Sequence, residues 1–295
     1  MGNCLDTCLP HSKPEDQRSR PYVQLRQQQT WAKTGIVGLR DQGLKELPAV
    51  LAESAAVFKV IDASHNRLAQ LPPWLASLAG LQRLVLAGNL LTVALPPGAG
   101  AGLAALKASG GAGGRGAGMG QWMILVLDDN QLSELPDEVG RLSRLERLSV
   151  SGNRLRALPA SLGALEALQA LVVSRNALEG LPAELGGCVR LEELDAQSNE
   201  LRSLPPALGA LKRLKTLQLD NNPLTAVPSE LLFGCAALQT LSLHGCPVRP
   251  DDLQETPGFK EFDERRKNKY NKVIAGGALL GNRGLDEGVD RDVRR

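Results

Sequence analysis

Three groups of residues in this 295-residue chain have types and spacings that could do chemistry. The first is Gly2 beside Cys4: a glycine exposed by loss of the first Met can accept myristate, and a cysteine next to it palmitate. One myristoyl chain holds a membrane only with K of about 10⁴ M⁻¹, so a second signal is needed. Cys4 or Cys8 would supply it, weakly aided by Lys13, Arg18 and Arg20. The motif asks for Ser or Thr where this chain has Asp6, with Thr7 following. The second group, Gly111-x-Gly113-x-x-Gly116, has the outline of a dinucleotide fingerprint. That fingerprint works only between a strand and a helix N-terminus, and neither flank reads that way. The third comprises Cys4, Cys8, Cys188, Cys235 and Cys246 with His11, His65 and His244. No Cys-x-x-Cys pair occurs and the histidines are far apart, so no metal site is expected. With no phosphate-loop, kinase-loop or nucleophile-elbow motif either, no catalytic residue and no cofactor is expected.

Composition narrows the scaffold. The chain is 43% hydrophobic but only 3% aromatic, so Leu does most of the apolar packing. Thirty-four basic and thirty-two acidic residues leave a charge of +2, which supplies no drive toward nucleic acid. No run approaches the roughly 18 apolar residues that a membrane-spanning helix needs. The N-terminus lacks the apolar core of a secretory signal. An odd, unclustered cysteine set and the lack of any Asn-x-Ser/Thr agree with a reducing, intracellular setting.

Internal repetition then sets the architecture. From Leu145 the chain reads Leu-x-x-Leu-x-Val-x-x-Asn-x-Leu through Asn153 and Leu155, followed by Leu158-Pro159. The frame recurs about Asn66, Asn89, Asn130, Asn176, Asn199 and Asn222. Gln42 takes the Asn slot in a first copy and Cys246 in a last, which makes nine. The Asn spacing is 23 residues, except for 41 between Asn89 and Asn130, an excess of 18. Most of that excess falls in Ala108 to Gly120, almost all Gly, Ala and Ser, which cannot bury apolar surface and reads as a loop.

Each slot has a physical reason. Strand alternation sends Leu148 and Val150 inward and Arg147, Ser149 and Ser151 to solvent. An Asn side chain both donates and accepts, so stacked copies can form a ladder on the peptide groups where the chain leaves the strand. Leu-Pro starts an extended return, because Pro fixes φ and gives no donor. Leu162 and Leu165 would then cover the outer side with a short helix. One unit cannot bury its leucines, and stacking does. The predicted fold is an α/β leucine-rich repeat solenoid, a horseshoe with a parallel sheet on its concave face and short helices or 3-10 turns on its convex side.

The expected organisation is a disordered, lipidation-candidate linker over 1–30, nine repeats over 31–253 with a Gly-rich insertion at about 107–122, a capping helix over 254–275 and a mobile tail over 276–295. Trp31 is the expected plug of the first repeat. At the other end Thr256-Pro257 reads as an N-cap and first-turn Pro, with Phe259, Phe262, Tyr270 and Val273 closing the core. Arg265, Arg266, Lys267, Lys269 and Lys272 read as a solvated face of that helix. Cys188 and Cys235 share one repeat slot and read as small, buried and inert.

Binding, on this reading, falls to the outward side chains of the concave strip. They include Asp62, Arg83, Asp128, Asp129, Arg147, Arg175, Glu193, Asp195, Gln197, Asp220 and His244. The strip is more apolar near Val85, Val126 and Val172 and acidic at Glu193, Asp195 and Asp220. A basic or mixed-charge protein surface would dock there, with charge setting orientation and rate.

The 23-residue repeat with Leu-Pro after the Asn resembles the intracellular Ras-group-related class of leucine-rich repeat proteins. Met-Gly-Asn-Cys at the start, Thr34 to Asp41, Gly258 to Arg266 and Gly284 to Asp290 extend the resemblance to plant-type members over nearly the full length, the Gly-rich insertion excepted. It implies a non-enzymatic binding protein with Gly2 lipidated, on the cytoplasmic face of a membrane (the plasma membrane first) or in the cytoplasm. Its partner would be a protein, a small GTPase or a signalling effector, with no nucleic acid and no small-molecule substrate. The alternatives are a soluble adaptor without the anchor and a nucleotide-dependent enzyme or regulatory subunit using the Gly-rich loop.

Overall fold

The computed structural model describes residues 29–53, 58–96 and 121–275. Gly2, Cys4, Cys8, the Gly-rich stretch with its Gly-x-Gly-x-x-Gly and the tail from Gly276 therefore lie outside the described residues. So do the side chains of Lys269, Tyr270, Lys272 and Val273.

Nine three-residue strands stack in sequence order into one parallel sheet. They are β1 (Ile36–Gly38), β2 (Val60–Asp62), β3 (Arg83–Val85), β4 (Ile124–Val126), β5 (Arg147–Ser149), β6 (Ala170–Val172), β7 (Glu193–Asp195), β8 (Thr216–Gln218) and β9 (Thr240–Ser242). The register is unbroken across the long interval: Leu84 pairs with Leu125 as Leu125 does with Leu148. The extra residues thus leave the sheet intact. Gln121 and Trp122, expected at the end of the insertion, already belong to the fourth repeat. Trp122 is fully buried where other repeats place Leu81 and Leu145.

In each strand the middle residue is buried, and its neighbours are more open except for Ser149 in β5 and Ala170 in β6, so one face of the sheet meets the core. The outer side is built from five-residue 3-10 segments, including Asp137–Arg141, Ala160–Ala164, Ala183–Gly187 and Pro206–Ala210. A proline precedes each, and Pro159 holds φ −69° and ψ 142°, the extended entry that its ring favours. Short helices replace these segments toward the ends: α1 (Val50–Glu53) in the first repeat and α2 (Ser229–Gly234) in the eighth. Gly140, Gly163, Gly186 and Gly209 form a column where a Cβ would run into the carbonyl of the next segment, Glu184 in the case of Gly163. Absence of a side chain is what lets these segments approach backbone to backbone. The 3-10 layer is broader than a strand, so the sheet lines the hollow.

The asparagine ladder is complete among the described repeats. Asn153 Nδ2 donates to the Leu127 and Val150 carbonyls at 3.0 and 2.9 Å, and its Oδ1 accepts from the Leu132 N–H at 3.0 Å. Asn66, Asn89, Asn130, Asn176, Asn199 and Asn222 repeat this pattern. Each spans two repeats and satisfies peptide groups that water cannot reach. Cys246 takes the same place in the last copy, its Sγ donating to the Leu219 carbonyl at 3.2 Å. Gln42 does not bury its side chain: it is exposed, and only its N–H joins the ladder, donating to Asn66 Oδ1. Among the described residues no earlier repeat stands beside it to offer carbonyls.

Both ends are sealed. Trp31 packs into the core ahead of β1, and its carbonyl accepts from the Gly35 N–H. After β9 come α3 (Pro250–Glu255) and α4 (Phe259–Ala275). Thr256 is not the N-cap of α4: its hydroxyl donates back to the Asp252 carbonyl and closes α3. Gly258, at φ 91°, then turns the chain into α4. Phe259 and Phe262 bury against the core with ring centroids 6.0 Å apart. The basic run is only partly a solvated face. Arg265 donates to the Leu232 and Leu238 carbonyls at 2.8 and 3.2 Å, and Arg266 is buried against Asp263 at 2.9 Å. Arg265 thus satisfies outer carbonyls of the last two repeats, and Arg266 is held by an ion pair within its own helix.

Candidate functional site

The sheet's open face carries the candidate residues in lanes that run across the strands. Of those expected to bind, Asp62, Arg83, Arg147, Glu193 and Asp195 lie on strands. Asp128, Asp129, Arg175, Gln197, Asp220 and His244 lie just past the strand ends, along one rim.

Ser149 and Ser151, expected at the solvent, are instead buried. Their partners come from neighbouring repeats. Asp128 Oδ1 accepts from the Ser149 hydroxyl at 2.7 Å and the Ser151 N–H at 2.8 Å, and the Ser151 and Ser174 hydroxyls lie 2.7 Å apart. Four repeats on, Asp220 Oδ1 takes the same two bonds, from the Ser242 hydroxyl at 2.6 Å and the His244 N–H at 2.8 Å. Asp62 and Asp195 accept from an N–H two residues on, Ser64 and Gln197, each at 3.1 Å. Gln197 Nε2 also donates to Gln218 Oε1 at 2.7 Å. Each of these four aspartates fixes Oδ1 and has no partner on Oδ2 among the described residues. They are carboxylates held still with one oxygen facing out.

The middle of the face is occupied with itself. Arg147 Nη1 reaches Glu193 Oε2 at 3.7 Å across Ala170, and Arg175 Nη2 reaches Asp129 Oδ1 at 3.1 Å across Gly152. In both cases a small residue in the intervening repeat leaves the gap; a Cβ on Gly152 would strike Asp129 Oδ1. These side chains are about half exposed, so the pairs add little stability, ~1 kcal/mol at most each. They do neutralise the centre.

The residue before each Asn slot was invisible in the repeat pattern. Asp41, His65, Gly88, Asp129, Gly152, Arg175, Ser198, Asn221 and Gly245 all adopt positive φ, between 51° and 70°. The chain must turn left-handed there to bring the Asn side chain back under the strand. Gly88, Gly152 and Gly245 were the available signal, one in three copies. Gly88 also makes room for His65, whose Nδ1 would lie 2.7 Å from an added Cβ.

The three cysteines among the described residues, Cys188, Cys235 and Cys246, are buried and free. Burial raises the Cys188 and Cys235 thiols to about 11, with Lys212 and then Arg265 pulling Cys235 slightly back. Each donates to an outer-side carbonyl, Leu162 and Leu208, at 3.2 Å. No group of three or more metal-ligating side chains assembles among the described residues, and none of their helices is long and apolar enough to cross a membrane.

Known proteins share this arrangement. The family described as "Leucine-rich repeat region" matches residues 123–222. "Plant intracellular Ras-group-related LRR protein 8" of Oryza sativa is 41% identical over 283 residues, covering 95% of this chain and 70% of its own length. An Arabidopsis thaliana protein named for LRR repeats and a ubiquitin-like domain is 46% identical over 278 residues, 94% of this chain and 70% of that one. A leucine-rich repeat protein of Leptospira interrogans superposes with a TM-score of 0.62 at 29% identity, covering 81% of this chain. This chain spans only about half of that structure, 53%. The family and fold are those of protein-interaction modules.

Proposed function

The chain belongs to the plant intracellular Ras-group-related leucine-rich repeat family, and from that premise we propose an intracellular scaffold that docks a signalling protein on its sheet face and is tethered to membrane through its N-terminus. The observation that carries the docking reading is the set of half-exposed aspartates held by sheet hydrogen bonds with one oxygen left outward. A side chain fixed before binding loses little entropy on binding, which favours a specific partner. A small GTPase or its effector is the partner class suggested by the family name, an analogy at family level. The anchor is supported by Gly2, Cys4 and Cys8 in the sequence alone. Two acyl chains give stable attachment where one gives only marginal attachment.

Each half of the proposal has its own test. Proximity labelling by the full chain should lose its main protein partners on combined Glu193→Lys, Asp195→Lys and Asp220→Lys, and an unchanged partner set would remove the docking site. Membrane fractionation of Gly2→Ala should move the protein to the soluble fraction, and an unchanged distribution would leave the soluble adaptor.

A further inference from the structure

The sheet face changes chemistry along its length, and the change specifies what kind of segment fits it. At the N-terminal end Ile36 is 54% exposed, and Val60 and Ile124 follow it in the same lane, interrupted by Arg83. Val85 and Val126 pair side by side in the parallel lane. Ile36 is exposed and the other four aliphatic residues are half-buried, on strands whose opposite face is already packed by the middle residues. Contiguous, partly exposed aliphatic surface of this kind marks contact sites. At the C-terminal end the same lanes carry Glu193, Asp195 and, at the rim, Asp220. Between the two zones, Arg147–Glu193 and Asp129–Arg175 satisfy each other.

Resting on the sheet face as the docking surface, we infer that its occupant is a single segment of a partner protein that is aliphatic at one end and rich in Lys or Arg at the other. The aliphatic end sits on β2–β4 and the cationic end on β7–β9. The centre of the apolar zone near β3 lies five strand steps from β8, about 24 Å at ~4.8 Å per step. About seven residues of extended chain or sixteen of helix span that distance. The aliphatic end would supply affinity. The cationic end would fix direction and speed encounter, since the free aspartate oxygens accept charge-assisted hydrogen bonds without first giving up a bond. A uniformly basic partner would leave the valines wet, and a uniformly apolar one would bury the carboxylates unpaired.

Panning a random 16-residue peptide library on the full chain tests this and needs no identified partner. The enriched peptides should carry aliphatic residues in one half and Lys or Arg in the other. Their affinity should fall at least tenfold with Asp195→Asn/Asp220→Asn, together with most of its salt dependence. It should fall at least tenfold with Val85→Asp/Val126→Asp at any salt. Both variants alter half-buried side chains on the open face, and an unchanged melting transition confirms that they fold. Enriched peptides that need the valines but lack a cationic half overturn the inference and leave sheet-face docking standing. Peptides indifferent to both variants overturn the two together. A library that yields no binder tighter than about 1 mM also overturns the inference.

Discussion

The sheet face divides into two halves that share one interior and differ outside. Across β1–β4 the outward residues are largely aliphatic, and across β5–β9 they are polar or charged except for Ala170 and Val172 on β6. Behind both lies the same leucine layer and the same asparagine ladder, with Asn89 and Asn199 making matching bonds to three carbonyls and one N–H. The repeat therefore fixes the interior slot by slot and leaves the outward positions open. What differs between halves is not demanded by folding, and it is where recognition resides.

If the interior is common, damage to it should be equal in both halves. Asn89→Ala and Asn199→Ala should each cost about 2–4 kcal/mol, because each strands buried peptide groups. Denaturant midpoints measure this, and a cost confined to one half would break the equivalence. On the outer side the expected penalty is smaller and depends on place. Gly163→Ala should cost about 1–3 kcal/mol by forcing apart two 3-10 segments. Gly180→Ala, with nothing within 4 Å of its Cβ, should stay within about 0.5 kcal/mol. Equal values at the two sites would contradict the close backbone approach.

The buried thiols give a smaller, pH-dependent effect on the C-terminal half. Their folded value of about 11 lies above the ordinary thiol value of 9.0, so the unfolded chain releases its protons first. The resulting stability is fully present below pH 9 and declines as pH rises toward 11, by about 1 kcal/mol per thiol per pH unit. Replacing both with Ala should flatten the difference between melting curves at pH 8 and pH 10. An unchanged slope would mean that the thiols are not shielded.

Much of the interior was legible in the chain itself. Leu148, Asn153 and Cys188 recur at a fixed period, and each slot permits one kind of chemistry. Trp31 could be placed because the first repeat lacks a predecessor. The rest depended on neighbours a whole repeat away. Ser149 alternates outward like any strand residue, and only Asp128 in the preceding repeat buries it. The left-handed positions escaped because Arg175, His65 and Ser198 share no chemistry with Gly152 and hold that conformation through the ladder. Arg265 and Arg266 looked like helix surface, since the helix sequence does not reveal that Arg265 meets the Leu232 carbonyl or that Arg266 is buried against Asp263. Among the candidate binding residues the sequence revealed the charges but not the ion pairs that cross Ala170 and Gly152.

The most direct test compares the affinity of the strongest labelled partner for two charge reversals. Asp195→Lys lies on the sheet face, and Arg190→Glu lies exposed on the outer side of the same repeat. Titration calorimetry should show at least a tenfold loss for the first and no change for the second, with both variants folded. Equal losses, or a loss only for Arg190→Glu, would place the partner elsewhere than in the hollow of the sheet.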